Sequence, residues 1–577
     1  MDFEDDPAVL ATESSRYEGE DTSPTTSLEL NGWYSYAVAA EVFAVVGVGA
    51  FLPVTLEQLA RERGVFFSDR SQSCVSSSES GSAGTSPKLR IRADGRQDQC
   101  VINFLGSEVT TASFAMYTFS AAVLLQAITL ICFSSFADHG PYRKKMLMTF
   151  AYTGSVASAL FIFITPSIYF LAPLLVIVGV TCLGCSFTLL NAFLPLLVTN
   201  HETAIRHDDA SDFELEALNP GSNTIHRSDP DKLNRELALS AKISSKGVGL
   251  GYAAAVFVQC IAILILFLFS KTSISKSNPS LPMRVILLLV GLWWATFTIP
   301  TIRWLRPRPG TPLPTQSRFR RSSSFKTFLF YTRFSLSSFW NTLKRALRLR
   351  QTVIFLVAWF LLSDAIATIS GTAVLFARTE LKMGTIAIAL LSITSISFGI
   401  VGAFAWPRIA SRYALSPKAV LLGCVMLMEI IPLYGLLGYV PIVKKIGFLG
   451  LQKPWEIYLL GVIHGFVMGG ISSYARSVYA PLIPEGSEAA FFALYAVTDK
   501  GSSAVGPALV GWIVDRAGTI RPAFIFLAVL VCFPAPLIWW LDVERGREDA
   551  AQMAGQKKKT TRESRHARID SFEVGDD

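Results

Sequence analysis

The chain has 577 residues, of which 51% are hydrophobic and only 17% charged, and its mean hydropathy is +0.42, whereas a soluble chain of this size carries charge on about a quarter of its residues. The apolar residues gather in runs of about 20, enough for a helix rising about 1.5 Å per residue to cross about 30 Å of hydrocarbon. The net charge of +8 lies between and after these runs, as in loops that face anionic lipid, which argues against nucleic acid as a partner.

Residues 1–31 form a polar tail with Asp2, Glu4, Asp5, Asp6, Glu18, Glu20 and Asp21, expected to be disordered, and no short basic region precedes an apolar core as in a cleavable leader. Six spans are predicted at 33–56, 109–136, 146–164, 169–198, 247–269 and 283–304. After a polar break, six more follow at 352–376, 385–406, 418–440, 456–479, 488–514 and 522–541. The predicted architecture is an all-α membrane protein in two six-helix halves, 32–304 and 352–541, joined by a basic linker at 305–351 and ending in a tail at 542–577. Residues 303–350 hold twelve Lys and Arg and no acidic residue, which places this segment in the cytosol. Alternation then puts Arg143, Lys144 and Lys145, the 408–418 loop, Lys557 to Lys559 and both termini on the same side.

The loop at 57–105 falls on the far, luminal side despite Arg61, Arg63, Arg70, Lys88, Arg90, Arg92 and Arg96, because long loops obey the charge rule less strictly. Its Ser/Gly-rich part, 76–86, is expected to be flexible. Cys74 and Cys100 are the only cysteines outside the spans, and an oxidising face permits either a disulfide or two separate thiols. Cys182 and Cys185 lie within the fourth span among Gly179, Gly184 and Ser186, where small residues serve helix packing. The insertion at 200–244 is of mixed charge and is expected to have little fixed structure. In 325–349, Phe328, Leu329, Phe339, Trp340, Leu343 and Leu347 alternate with Lys326, Arg333, Lys344, Arg345 and Arg348, as in a basic helix lying on a membrane surface; an extended linker is the alternative.

Ionisable groups inside spans are costly and usually face a cavity or a partner. Glu41, Asp364 and Asp499 fall about 12, 18 and 15 Å along the first, seventh and eleventh spans, so all three can meet near the midplane. Glu41 shares a helix face with Tyr34, Ala37 and Val45, and adjacent Asp499 and Lys500 point about 100° apart. Arg476, near the end of the tenth span, suits snorkelling or gating. Glu429 and His464 read as structural polar contacts, and Asn191 beside Pro195 as a kink. No P-loop, HExxH or GxSxG occurs, and the six histidines form no metal spacing, so neither catalytic residues, metal nor cofactor are expected.

Six helices, a long linker and six more is the layout of major facilitator transporters. Phe136-Ala137-Asp138-His139-Gly140-Pro141-Tyr142-Arg143-Lys144-Lys145 resembles that superfamily's G-x-x-x-D-x-x-G-R-[K/R]-x-[K/R] loop, whose acid and bases can latch helix ends; here Ser134 or Ser135 replaces the leading glycine, and Pro141 and Tyr142 intervene before Arg143. The corresponding loop around Arg408 and Arg412 keeps bases but no acid. Gly32-Trp33-Tyr34-Ser35-Tyr36 with Glu41 and Phe51-Leu52-Pro53, Phe360 to Thr368-Ile369, Ser244 to Tyr252 and above all Ser473 to Gly511 together resemble the autophagy-related vacuolar amino-acid effluxer family of fungi. The resemblance implies a multi-pass vacuole-membrane protein that exports leucine and other neutral amino acids to the cytosol after autophagic breakdown, by alternating access. A carboxylate among Glu41, Asp364 and Asp499 could pair with the ammonium, and Lys500 or an exposed helix end with the carboxylate; alternatively one acid carries a proton. A membrane sensor or scaffold, or a transporter of another small solute, remains open at this point.

Overall fold

The computed structural model describes residues 21–66, 70, 72–74, 100–104, 106–202, 230–272, 278–310, 324–381, 383, 385–447, 449–502, 506, 509–510, 512–513, 516 and 520–555. Among these, eleven helices are long and apolar enough to cross a membrane.

The first span starts at α1 (Ser27–Val42), where the Thr26 hydroxyl accepts from the Glu29 N–H at 3.2 Å and caps the helix. It widens into a π-helical stretch (Phe43–Phe51) before resuming as α2 (Leu52–Arg61). Pro53 offers no N–H and its ring would crowd a carbonyl of the preceding α-turn, and the wider turns absorb that defect. The chain then forms an antiparallel sheet of β1 (Val65–Phe66), β2 (Cys100–Phe104) and β3 (Ser107–Thr110), with Phe66 opposite Cys100 and Ile102 opposite Val109. A disulfide joins Cys74 to Cys100 beside it. Residues 76–86, the expected flexible part of this loop, lie outside the described residues.

Next come α3 (Thr111–Ala137), α4 (Tyr142–Ala159), α5 (Ala172–Thr199), α6 (Pro230–Ser270) and α7 (Leu281–Trp304). The linker contains α8 (Ser324–Arg348). The second half is built of α9 (Arg350–Thr379), α10 (Thr385–Arg412), α11 (Pro417–Met428), α12 (Ile430–Leu437), α13 (Pro441–Ile446), α14 (Pro454–Tyr479), α15 (Glu488–Ser502), α16 (Ala523–Cys532) and α17 (Pro534–Trp540). The predicted eleventh span enters as α15; much of its remainder lies outside the described residues. Large apolar side chains stay exposed around the bundle, among them Leu124, Ile128 and Phe133 on α3 and Trp539 and Trp540 at the end of α17; lipid covers such a belt, with tryptophans at its rim.

Several expected boundaries move. Helix α1 begins inside the expected 1–31 tail, and Asp21, Ser23 and Thr25 of that tail bind Arg308. The 200–244 insertion is helical from Pro230, because Leu237, Ser240, Ala241 and Ser244 bury one side of α6 at helical spacing. The ninth span is not one rod to residue 440 but α11 and α12, meeting at Glu429 and followed by the separate α13. The expected 542–577 tail is helical over 543–555, and Arg547 reaches Glu236 at 3.0 Å.

Close helix contact rests on small residues. A Cβ on Gly465 would stand 1.9 Å from the Ser395 carbonyl oxygen, and one on Gly402 would stand 2.1 Å from that of Phe466, so α10 and α14 touch backbone to backbone. At the linker end of the bundle, Arg308 donates to both carboxylate oxygens of fully buried Glu29, at 3.1 and 2.9 Å. Gly310 pairs its backbone with Gly140 in both directions. The start of the linker is thereby stapled to α1 and to the loop that carries Asp138.

Candidate functional site

Two polar assemblies join the halves. The first lies at the linker end, where Gly140 takes φ +46° and lets the chain turn from α3 into α4. The Asp138 carboxylate accepts from the Ala489 and Ala490 N–H groups at 2.7 and 3.0 Å, so it sits on the open first turn of α15, in the other half. Arg143 donates through Nη2 to Asp138 at 3.1 Å and to Glu488 at 3.0 Å, and its guanidinium stands 5.7 Å from the centre of the Phe193 ring. All three charged side chains are under 10% exposed. Burial pushes the Asp138 carboxyl up to about 6, against the Arg143 guanidinium and two backbone donors that favour its charge. Sequence singled out Asp138 and Arg143; Glu488 was missed, though it opens α15 in a stretch already quoted. Arg408, at the corresponding place in the second half, bonds among the described residues within its own helix, to the Phe404 carbonyl.

The second assembly lies deeper in the bundle. Gly251 on α6 leaves room for Glu41 of α1: a Cβ there would come within 2.9 Å of the Glu41 Cβ. Glu41 acts electrostatically on Tyr252 of α6 and on Arg476 of α14, across the two halves. Arg476 donates to the Asn191 side-chain oxygen of α5 at 2.8 Å and to the Ser472 carbonyl at 3.1 Å. The Tyr252 and Ser472 hydroxyls meet at 3.2 Å. Asn191 is therefore more than the kink that Pro195 suggested: its amide holds a cation from the opposite half.

Arg476 also interacts with Tyr495 of α15, which in turn feels Asp499 one turn further on. The Tyr495 ring stacks on Trp359 at 4.7 Å and on Tyr479 at 5.4 Å, giving the assembly an aromatic wall. Ser363 donates to the Asp499 carboxylate at 2.6 Å. Neighbouring Asp364 is buried and accepts from the Gly506 N–H at 3.0 Å, with Thr368 bonded back to its carbonyl. Of the three carboxylates expected near the midplane, Asp499 is bound by Ser363, the residue before Asp364, while Glu41 joins through Arg476 and Tyr495. Tyr34 packs under the Lys246 ammonium at 4.8 Å, a cation–π contact beside this assembly. The Lys500 side chain lies outside what is described. His464 bridges the Ser370 and Ser395 hydroxyls at 3.3 and 3.1 Å and so ties α9, α10 and α14. Among the described residues no group of three His, Cys, Asp or Glu is placed to hold a metal ion. Tyr252 and Tyr495 were missed because a tyrosine in an apolar run carries no charge signal; each lies in a stretch that the resemblance had marked.

The sequence profile described as "Vacuole effluxer Atg22 like" matches residues 25–551. The chain belongs to this family. It is 69% identical over 564 residues to Autophagy-related protein 22-1 of Phaeosphaeria nodorum, covering 96% of this chain and 97% of that one. It is 53% identical over 581 residues to Autophagy-related protein 22 of Botryotinia fuckeliana, covering 97% and 96%. Among solved structures, the major facilitator transporter FucP in its outward conformation aligns with a TM-score of 0.51 at 12% identity, over 89% of this chain and 98% of that one. The human organic anion transporter MFSD10 aligns with a TM-score of 0.52 at 12% identity, over 89% and 98%. At such identities these two establish the fold, which is of the major facilitator type. This Atg22-like effluxer is accordingly a multi-pass transporter of the vacuolar membrane that serves autophagy.

Proposed function

We propose that the protein exports leucine and other neutral amino acids from the vacuole lumen to the cytosol by alternating access, with Glu41 receiving the ammonium and Arg476 the carboxylate. The observation that supports this reading is the polar assembly between the halves, in which Arg476 of α14 binds Asn191 of α5 at 2.8 Å, Tyr252 of α6 meets Ser472 of α14 at 3.2 Å, and Glu41 of α1 acts on both Arg476 and Tyr252. A free amino acid is a small zwitterion, and a carboxylate and a guanidinium contributed by opposite halves match its two poles. The Trp359–Tyr495–Tyr479 wall is uncharged and suits an uncharged side chain. Arg476 takes this role in place of Lys500, and its bond to Asn191 lets the same residue sense the opposite half as the substrate leaves.

On this reading the basic linker and the Asp138–Arg143–Glu488 cluster face the cytosol, which the linker's charge supports, and the Cys74–Cys100 disulfide suits the luminal side. The arrangement described is then the state closed toward the cytosol, with the cluster as its latch. Alternating access needs that latch to break, releasing the first turn of α15 from Asp138. Purified protein in vesicles loaded with labelled leucine tests the proposal at two interior pH values. Efflux that leucine and isoleucine compete for, that sugars leave unaffected and that Arg476→Ala abolishes supports it; efflux indifferent to Arg476→Ala overturns the site. An inside pH that changes the rate assigns proton coupling.

A further inference from the structure

We infer that α8 is a docking surface for anionic phospholipid headgroups, seated in the membrane interface and bearing on the helices that carry the latch. The helix has two different long sides. Thr342, Ala346 and Leu349 are buried, with Phe339 and Leu343 packed beside them against the core, and the helix rests on α3, α9 and α15. Its other side leaves Leu336, Trp340 and Leu347 at 50, 55 and 63% exposure, at spacings of four and seven residues, so the three share one stripe.

Basic side chains border that stripe. Arg333, Lys344 and Arg348 are exposed and Arg345 half-buried, Arg350 follows at the start of α9, and no acidic residue occurs anywhere from 303 to 350. The Lys344 ammonium lies 5.7 Å from the centre of the Trp340 ring, so cation and indole occupy one level. An apolar stripe with a tryptophan, whose flanking charges are all positive, matches the boundary between acyl chains and negatively charged headgroups. A protein partner would ordinarily answer such a surface with mixed charge and hydrogen bonding, whereas the single sign here is complementary to a sheet of phosphates. Because α8 packs on α3 and α15, lipid that holds α8 in place also braces the two helix ends that meet at Asp138 and Glu488.

Headgroup selection can be read without any transport assay, so its failure is distinct from failure of the amino-acid proposal. The full chain is placed in nanodiscs of phosphatidylcholine containing a trace of photoactivatable phosphatidylserine or, in parallel, photoactivatable phosphatidylcholine, and cross-linked peptides are mapped. The serine lipid should label 333–350 at least about fivefold more than the choline lipid, the preference that a single basic side chain at an anionic surface contributes. A variant with Arg333, Lys344, Arg345 and Arg348 all changed to Gln should lose that preference. A charge-preserving variant with the three arginines changed to Lys should keep it, which separates charge from folding. Equal labelling by the two lipids, or a preference that survives the glutamine variant, overturns the inference.

Discussion

The two assemblies that join the halves answer their charges differently. At the linker end, both oxygens of Asp138 are taken by backbone donors of α15 and by Arg143, which also binds Glu488. In the bundle, Arg476 donates to a neutral amide and a neutral carbonyl while Glu41 acts on it from another helix. The first is a closure: donors of the cluster answer both Asp138 oxygens and one of Glu488, all of the Arg143 share passing through Nη2, while its Nε and Nη1 stay buried without a hydrogen bond among the described residues. The second places a cation and an anion on opposite halves among neutral partners, an arrangement that a zwitterion can complete. On the proposed function, one region holds a state and the other a substrate.

Breaking the closure should have the largest effect. Arg143→Ala leaves Asp138 and Glu488 buried without their cation, and losing one partner of a buried pair costs about 3–5 kcal/mol. The closed state should fall by about a hundredfold or more, seen as a gain in labelling of a cysteine introduced at Ser487 by a membrane-impermeant reagent; unchanged labelling would mean that the cluster does not hold the halves. At the substrate site, Glu41→Gln should weaken leucine binding by about ten- to a hundredfold, the range for one hydrogen bond to a charged group at about 1.5–3 kcal/mol, with labelling at residue 487 little altered.

Acidity sharpens the contrast. Burial lifts the Asp138 carboxyl from 3.8 to about 6 in the closed state, so that state binds the proton more tightly than one in which Asp138 is hydrated. Lowering the pH at this face from about 7 to about 4 should therefore favour closure, the gain being complete below the hydrated value and lost as pH rises through the buried one. Labelling at residue 487 should decline over that window, and Asp138→Asn should abolish the pH response. Smallest of all, Lys246→Gln removes the cation over Tyr34 and should change leucine affinity by a few-fold, at about 0.5–1 kcal/mol, measured by equilibrium binding.

Much of the fold is legible in the sequence, because a lipid-exposed helix must be long and apolar, and residues 33–56 or 283–304 announce themselves by composition alone. Two of the misread boundaries share a cause. Residues 230–246 and 543–555 are helical outside the apolar runs, where burial of one side sustains them and hydropathy is silent. Among site residues, Glu41 and Arg476 were visible as charges within apolar runs. Their association was not, because Arg476 reaches Asn191 across 285 positions of sequence, and helical spacing relates residues only within one helix. Glu488 was hidden differently: at a helix start an acid is an ordinary capping residue, and only the meeting of the first turns of α4 and α15 gives it Arg143.

The central claim is that Glu41 and Arg476 read the two poles of one amino acid. It is tested most directly by equilibrium binding of leucine, leucinamide, which lacks the carboxylate, and 4-methylvalerate, which lacks the ammonium, to the purified chain and to Arg476→Ala. The intact site should bind leucine well above either analogue, and Arg476→Ala should erase the preference for leucine over leucinamide while keeping that over 4-methylvalerate. An Arg476→Ala protein that still prefers leucine to leucinamide as strongly as the intact chain would contradict the account.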